Sequence, residues 1–439
     1  MRAASSEMLN VCDSSILSSQ QAHLHKERPE DILEADDNPR TLEADTVRPL
    51  PEPPHAWVIH PGFSLADLQQ TWVLSSPRDH PIRLTDVLGP CADTADDDNS
   101  LFTSSATSVL GSYPLINPLT EAYQIPSSLI FLPDASRLSG STFLAGATNL
   151  LAVFDIARPG QPPVEVFKTI PSTRKKSKGG GVGMKGIVSA LACFDASSGP
   201  GLVAAGTWSR KIGLYSGGRA LSQVALWALA DDSWASPTSD VNQATGEKID
   251  IGGSGVDKVE WSPCGRYLYV FERKSDGGLV YDVRVLGKKL GTLTGRDALT
   301  NQRMGVQVVP ADLSDEFLDT EIPTDDSDHV HTWSSEAGGH HDVYTSSTAG
   351  VVNVYRNPHL KAGAINADYS IPGLHGDAIG GLSMHPQFGV LATASGQRHF
   401  DDLDSSDDSD DSGEEDTTSG TSAGKPAKKW DLSLRIWAP

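Results

Sequence analysis

LVAAGTWSRKIGLYS, Leu202 to Ser216, decides the fold. It opens with small residues, turns at the polar Trp208-Ser209-Arg210, and resumes as an alternating strand that ends on an aromatic and a polar residue, Tyr215-Ser216. Such runs, bounded by Gly, Ser, Asp and Pro, read as short strands joined in hairpins. The same unit recurs along the chain. TWVLSSPRDHPIRLTDV starts at Thr71, TFLAGATNLLAVFDI at Thr142, RYLYVFERKSDGGLVYDV at Arg266 and DVYTSSTAGVVNVYRN at Asp342. The sixth copy is split: VLATASGQ starts at Val390, and LSLRIWAP closes the chain. Most copies follow a further strand that ends in a turn: SLIFLPDAS, IVSALACFDAS, VDKVEWSPCGR and AIGGLSMHPQFG.

Strand a, turn, strand b, turn and strand c ending at an aromatic–polar pair, followed by an outer strand d, is the blade of a WD-repeat propeller. The pair is Phe154-Asp155, Tyr215-Ser216, Tyr281-Asp282, Tyr355-Arg356 and Trp437-Ala438. These pairs lie farther apart than the ~40–45 residues usual for such repeats, so the blades carry insertions. The fold class is therefore all-β, with six recognisable blades. A β-sandwich does not explain six copies of one unit. No long segment of helical periodicity appears.

Between strands b and c of the last blade lies DDLDSSDDSDDSGEED, Asp401 to Asp416, ten of whose sixteen residues are acidic. A loop tip tolerates such an insertion, because closure entropy grows only logarithmically with length. This gives the organisation: a disordered tail over 1–56, which lacks Phe, Tyr and Trp, and a propeller over 57–439 with a low-complexity insertion at 401–429. Ser405 and Ser412 each have an acidic residue three positions on and are candidate phosphorylation sites. The formal net charge of −22 includes this run, so it says little about the rest of the surface. The four cysteines, Cys12, Cys91, Cys193 and Cys264, are scattered, as expected of reduced thiols. No apolar run of membrane-spanning length is present, and neither a secretory leader nor a membrane partner is expected.

In a WD propeller the b–c turns and d–a loops share one face. Here the b–c turns carry Arg78, Arg210, Lys211, Arg273, Lys274, Gln397 and Arg398. The d–a loops carry Arg174, Lys175, Lys176, Lys178, Lys185, Arg296, Asn301, Gln302 and Arg303. Lys and Arg neutralise phosphates, Asn and Gln read the edges of unpaired bases, and Trp208 and His399 are candidate stacking residues on this face. Arg210, Lys211, Arg273, Lys274, Asn301, Gln302, Arg303, Gln397 and Arg398 form the candidate RNA-binding set. The RKKSK run, Arg174 to Lys178, also reads as a nuclear import signal.

Catalytic motifs fail on inspection. GGGVGMKG lacks the Gly-Lys-Ser/Thr ending of a phosphate loop. GGSGVD is not the nucleophile elbow of a hydrolase. His329, His331, His340 and His341 cluster in sequence, but their Asp- and Ser-rich surroundings read as a solvated a–b insertion rather than a zinc site. His375 reads as a structural blade histidine, and Gly206, Gly213 and Gly350 as turn or bulge residues. The expectation is a protein without enzymatic activity, cofactor or metal.

Several stretches together resemble the telomerase Cajal body protein family: IARPGQ (Ile156–Gln161), KGIVSALACF (Lys185–Phe194), GTWSRKIGLY, ALTNQRM and LSMHPQFGVLATASGQRHF. They span about Thr71 to Pro439 in the family's order, acidic insertion included. The resemblance implies seven blades, although six are recognisable here. It implies a monomeric nuclear protein that binds small guide RNAs and telomerase RNA, helps localise or assemble those particles with their proteins, and is nucleoplasmic or Cajal-body-like, with a cytoplasmic pool also allowed. The alternative implied by fungal-type relatives is a protein-interaction scaffold in pre-mRNA splicing, associated with spliceosomal particles.

Overall fold

A computed structural model describes residues 21–24, 46–49, 52–63, 70–88, 109–133, 140–170, 183–194, 201–216, 221–229, 249–318, 339–385, 389–396, 431 and 433–437. Two short strands, β1 (Gln21–Leu24) and β2 (Thr46–Pro49), pair antiparallel within the N-terminal segment. The first blade comprises β3 (Pro54–Ile59), β4 (Trp72–Pro77), β5 (Ile82–Asp86) and β6 (Val109–Tyr113). It begins three residues inside the segment that composition assigns to the tail. The second has β7 (Ser128–Phe131), β8 (Thr142–Ala147), β9 (Leu150–Asp155) and β10 (Glu165–Lys168); the third has β11 (Val188–Phe194), β12 (Leu202–Thr207), β13 (Lys211–Ser216) and β14 (Ser222–Ala228). The fourth has β15 (Val256–Trp261), β16 (Tyr267–Glu272), β17 (Ser275–Asp282) and β18 (Lys289–Ala298).

In the fifth blade, β19 (Val306–Pro310) leads through a short helix, α1 (Ala311–Phe317), to β20 (His341–Ser346) and β21 (Val352–Arg356). Next, β22 (Gly363–Asn366) crosses to pair in parallel with β18 of the fourth blade, and β23 (Tyr369–Ile371) completes the fifth. Among the described residues the sixth has three strands, β24 (Ile379–Met384), β25 (Leu391–Ser395) and β26 (Leu434–Trp437). The structure is thus an all-β propeller of six blades. The seventh blade that the resemblance implies is not formed among the described residues, and the helix α1 and the crossover β22 lie outside the blade pattern read from sequence.

Each expected aromatic–polar pair within the described residues falls at the end of a third strand, as with Phe154-Asp155 on β9 and Tyr281-Asp282 on β17. The b–c turns hold the left-handed residues Asp79, Asn149, Arg210, Lys274 and Gly350. Positive φ matches hairpin turns to the twist of their strands. At Gly350 (φ +73°) a Cβ would also collide with the His375 carbonyl. Gly206 serves differently from the turn or bulge expected of it. It sits within β12, where a Cβ would collide with Val256 of the next blade. Gly213 likewise lies within β13, against the Tyr215 ring. Small residues in the middle strands thus let neighbouring blades approach closely, with Ala145, Ala152, Ala204, Ala205, Ala392 and Ala394 all buried.

Successive blades are tied by hydrogen bonds onto the next blade's backbone. Ser76 Oγ donates to Pro126 O (3.2 Å), Ser128 Oγ to Val188 O (2.8 Å) and Ser189 Oγ to Val256 O (2.6 Å). Lys258 Nζ donates to Val306 O (2.9 Å) and Ser346 Oγ to Ile379 O (2.6 Å). Buried hydroxyl donors need such acceptors. The six innermost strands line an axial channel of about 580 Å³.

His375 is a structural histidine. Its Nε2 lies 2.8 Å from Thr393 Oγ1 and its Nδ1 3.2 Å from Asp431 Oδ2, and Trp437 Nε1–H donates to the same Thr393 hydroxyl at 2.8 Å. This chain runs from the d–a connection through strands b and c of the sixth blade. No described helix is long and apolar enough to cross a membrane.

Candidate nucleic-acid interface

The b–c turns and the d–a loops meet on one face, as contacts between them show. Lys274 N–H donates to Thr300 O (2.9 Å), and Gln302 Nε2–H donates to Gly396 O at the start of the long last b–c connection. Arg303 reaches farthest. From the start of the fifth blade its Nη2 donates to Ser127 O (2.8 Å) and Ser189 O (3.3 Å), and its Nε lies 3.8 Å from Asp257 Oδ1. One guanidinium thus bridges blades two, three, four and five at the mouth of the channel.

β-Bulges shape this mouth. Pairing skips one residue at the start of β3, β11, β15 and β24, between Pro54 and Ala56, Val188 and Ala190, Val256 and Lys258, and Ile379 and Gly381. A bulge frees a residue from the ladder and re-aims its side chain. The freed residues are His55, Ser189, Asp257 and Gly380. Burial, then the Arg78 and Arg303 charges, hold the His55 imidazole below its ordinary pKa.

The sequence-predicted residues divide into two groups. Some are engaged by the protein. Arg210 forms a two-pronged pair with Glu272 (Nε to Oε1 2.7 Å, Nη2 to Oε2 2.8 Å), joining blades three and four. Lys211 Nζ donates to Gly183 O (2.9 Å). Arg273 Nε donates to Asp257 Oδ1 (3.2 Å), and its guanidinium lies 4.9 Å from the Trp208 ring centroid. Others face solvent: Lys274, Asn301 and Lys185 are exposed, and Trp208 is 43% exposed. Gln397, Arg398, His399, Ser405, Ser412 and the whole basic run from Arg174 to Lys178 lie outside the described residues.

Two sequence readings are corrected. Arg296 is not on the surface: it is 1% exposed, with Cζ 5.0 Å from the Phe271 ring centroid. Alternation along β18 breaks at Gly295 and Asp297, which both adopt positive φ, and this turns Arg296 inward between the fourth and fifth blades. Nor is His341 solvated. It is fully buried, Nε2 2.7 Å from Tyr269 Oη, and stacked 4.2 Å from His359. Among the described residues no group of three or more His, Cys, Asp or Glu side chains gathers as a metal site would. His329 and His331 lie outside those residues.

Sequence reasoning missed Asp257. In VDKVEW, strand alternation sets Asp257 opposite Val256 and Lys258, and only the bulge brings it to the channel mouth.

The Arg210–Glu272 pair gives a first prediction. Glu272 is 1% exposed while Arg210 is 34% exposed. Arg210→Ala leaves a buried carboxylate unpaired, which costs about 2–3 kcal/mol, less than a fully buried pair because solvent reaches Arg210. Urea unfolding of the variant should show the loss, and Arg210→Ala/Glu272→Gln should recover part of it. Equal midpoints for all three proteins would remove the pair from the stability argument.

No family model matches the chain. It is similar to telomerase Cajal body protein 1 of Homo sapiens, 27% identical over 365 residues, which cover 82% of this chain and 49% of that protein. Similarity to the Mus musculus protein of the same name is 27% over 369 residues, 82% and 50% of the two chains, and to the Bos taurus protein 27% over 361 residues, 82% and 49%. These relatives carry the name of the family that the quoted motifs resemble. The chain spans about half the length of the curated relatives it matches.

Proposed function

We propose that this chain is a non-catalytic RNA-binding propeller that holds single-stranded segments of small nuclear RNAs of the Cajal-body or telomerase type and helps localise or assemble their particles in the nucleus. The observation that carries the reading is the exposed Trp208 ring, 4.9 Å from the Arg273 guanidinium and on the face that also exposes Lys274, Asn301 and Lys185. Unpaired bases stack on aromatic and guanidinium planes, amides read their edges, and ammonium groups meet the phosphates between them. The relatives' name, telomerase Cajal body protein, supports the nuclear setting and the particle class.

The test is binding of labelled single-stranded RNA to the purified chain across a salt series. Trp208→Ala should weaken binding by roughly 1–3 kcal/mol, as loss of one stacked base does. Lys274→Ala should flatten the salt slope by about 0.7, one phosphate contact on a single strand. Asn301→Ala should narrow discrimination between a cognate and a scrambled RNA more than it lowers total affinity. Salt-independent affinity, or a Trp208→Ala protein that binds as the parent does, would sink the proposal.

A scaffold role in pre-mRNA splicing is favoured by a different feature. The connection between the first and second blades exposes Ile116, Leu119 and Tyr123, with Ile116 and Tyr123 paired across a bridge. Apolar residues grouped in this way suit protein contact. Retention of partner proteins by an RNA-binding-deficient Trp208→Ala chain would favour that reading.

A further inference from the structure

The glycine run GGSG, Gly252 to Gly255, fits no catalytic motif, but the fold gives it a mechanical use. It lies in the d–a connection between the third and fourth blades and clasps the Arg273-Lys274 turn of the fourth. Gly253 N–H donates to Lys274 O (3.0 Å), Ser254 N–H to Arg273 O (2.9 Å) and Arg273 N–H to Gly255 O (2.9 Å). A Cβ at Gly252 would stand 2.9 Å from Lys274 O, and one at Gly255 would stand 2.8 Å from Trp208 O. Only a residue without a Cβ lets the loop lie so close to both turns. From the other side, Thr300 O of the next d–a connection accepts the Lys274 N–H (2.9 Å). The Arg273-Lys274 turn is therefore fixed on both flanks.

Two large apolar side chains border this fixed turn and face solvent. On the third-blade side stands Trp208, 43% exposed, with the Arg273 guanidinium over its ring at 4.9 Å. On the fifth-blade side stands Leu299, 65% exposed. Its neighbour Ala298 is buried with Met304 and Ala378, and Gln302 N–H donates to Thr300 Oγ1 (3.1 Å), so the loop is pinned with Leu299 held outward. Lys274, between the two, and Asn301, beside Leu299, are exposed. Carboxylates border the turn as well: Asp250 accepts the Gly252 N–H (2.9 Å), and Asp276 accepts the Asp297 N–H (2.7 Å). Positive charge therefore does not set the site apart. A single exposed leucine is ordinary, but two large apolar groups held on either side of a free ammonium offer planes to a ligand that alternates flat rings with negative charge.

We propose that Leu299 is a second base platform. An unpaired RNA strand crosses the Arg273-Lys274 turn with one base on Trp208, another on Leu299, and the backbone between them on Lys274. The inference deepens the RNA reading and rests on it. Each base has a flat apolar face, so cover by Trp208 and Leu299 tolerates any sequence. Asn301 then meets the edge of the base that Leu299 covers, where its amide can both donate and accept. Backbone already fixed on both flanks lowers the ordering cost of binding.

The experiment titrates the full chain with a fluorescent decameric oligouridylate across a salt series, beside a strand of equal length in which every nucleotide is abasic. Leu299→Ser should bind the oligouridylate about tenfold more weakly, the loss of much of a leucine's apolar contact, with its salt slope unchanged. Leu299→Phe should bind at least as well as the parent. Lys274→Ala should show a shallower salt slope on both strands. On the abasic strand Leu299→Ser and Trp208→Ala should match the parent, because no base remains to stack. Leu299 is exposed, so the Tm of Leu299→Ser should equal that of the parent.

Unchanged oligouridylate affinity in Leu299→Ser, beside a weakened Trp208→Ala, overturns the second platform, leaves the RNA reading standing and returns Leu299 to a protein contact. Equal losses by Leu299→Ser on the oligouridylate and on the abasic strand also overturn it, since the leucine would then act through the shape of the loop and not on a base. A parent chain that binds neither strand at low salt overturns the platform together with the RNA reading.

Discussion

Lowering the pH from 7 to 5 should cost this propeller roughly 3–4 kcal/mol of stability from two histidines alone. Burial holds both His359 and His385 at about 4, against 6.5 for the free side chain. In His359 the neighbouring His341 and His340 add to the effect, with the His341 ring stacked at 4.2 Å. The sign follows from proton counts. Below 6.5 the unfolded chain takes up a proton at each histidine and the folded chain does not. The stabilising contribution is therefore complete above pH 6.5 and is lost as pH falls toward 4. Burial lowers His341 and His375 as well, which adds in the same direction. Carboxylates titrate below this window. Guanidinium unfolding at half-unit steps between pH 7.5 and 5 measures the slope. His359→Phe keeps the stacked ring and removes one titrating group, so its stability should fall less steeply. A midpoint that is flat across the window would show that these histidines are not held neutral.

The second large effect is expected at the sixth blade. His375→Ala should destabilise the fold by about 3 kcal/mol. The substitution removes hydrogen bonds to Thr393 and Asp431 and opens a cavity beside β25. Hydrogen bonds in one chain reinforce each other, and a partly satisfied buried network is worse than none. Trp437→Phe loses only the Nε1–H donated to Thr393 and should cost about 1 kcal/mol. Among the described residues the blade has three strands, and β26 is paired on one side only, with β25. Hydrogen exchange should therefore report the His375→Ala damage first in residues 391–396 and 433–437. Uniform exchange across all six blades, with an unchanged unfolding midpoint, would refute this role for the histidine.

The two predictions concern residues of different legibility. His375 could be read as structural, because Gly-Leu-His-Gly-Asp lies just before a strand of small residues, where a blade's d–a connection belongs. Its partner Asp431 lies 56 residues away, beyond the acidic insertion, and no local pattern joins them. His341 sits beside His340 in an Asp- and Ser-rich stretch that reads as solvated. Only the packing of β20 against the fourth blade and the Pro358–Leu360 turn closes solvent off.

The sequence by itself determined the blade. Alternation, small middle strands, polar turns and terminal aromatics are local properties, repeated six times, and each is legible within about fifteen residues. It also determined which turns would be basic, because a turn residue stays in its turn whatever surrounds it. The tertiary structure decided the rest. It decided that Arg210 pairs with Glu272 instead of facing solvent, since the partner comes from the next blade. It decided that Gly206 is there for close approach, since the obstacle is Val256 of the next blade. It turned Arg296 inward through two positive-φ neighbours, and brought Asp257 to the channel mouth through a bulge that depends on register with β16. Charge in a sequence is a count, whereas charge at a site depends on which counter-charges the fold places within a few ångströms and on how much water remains between them.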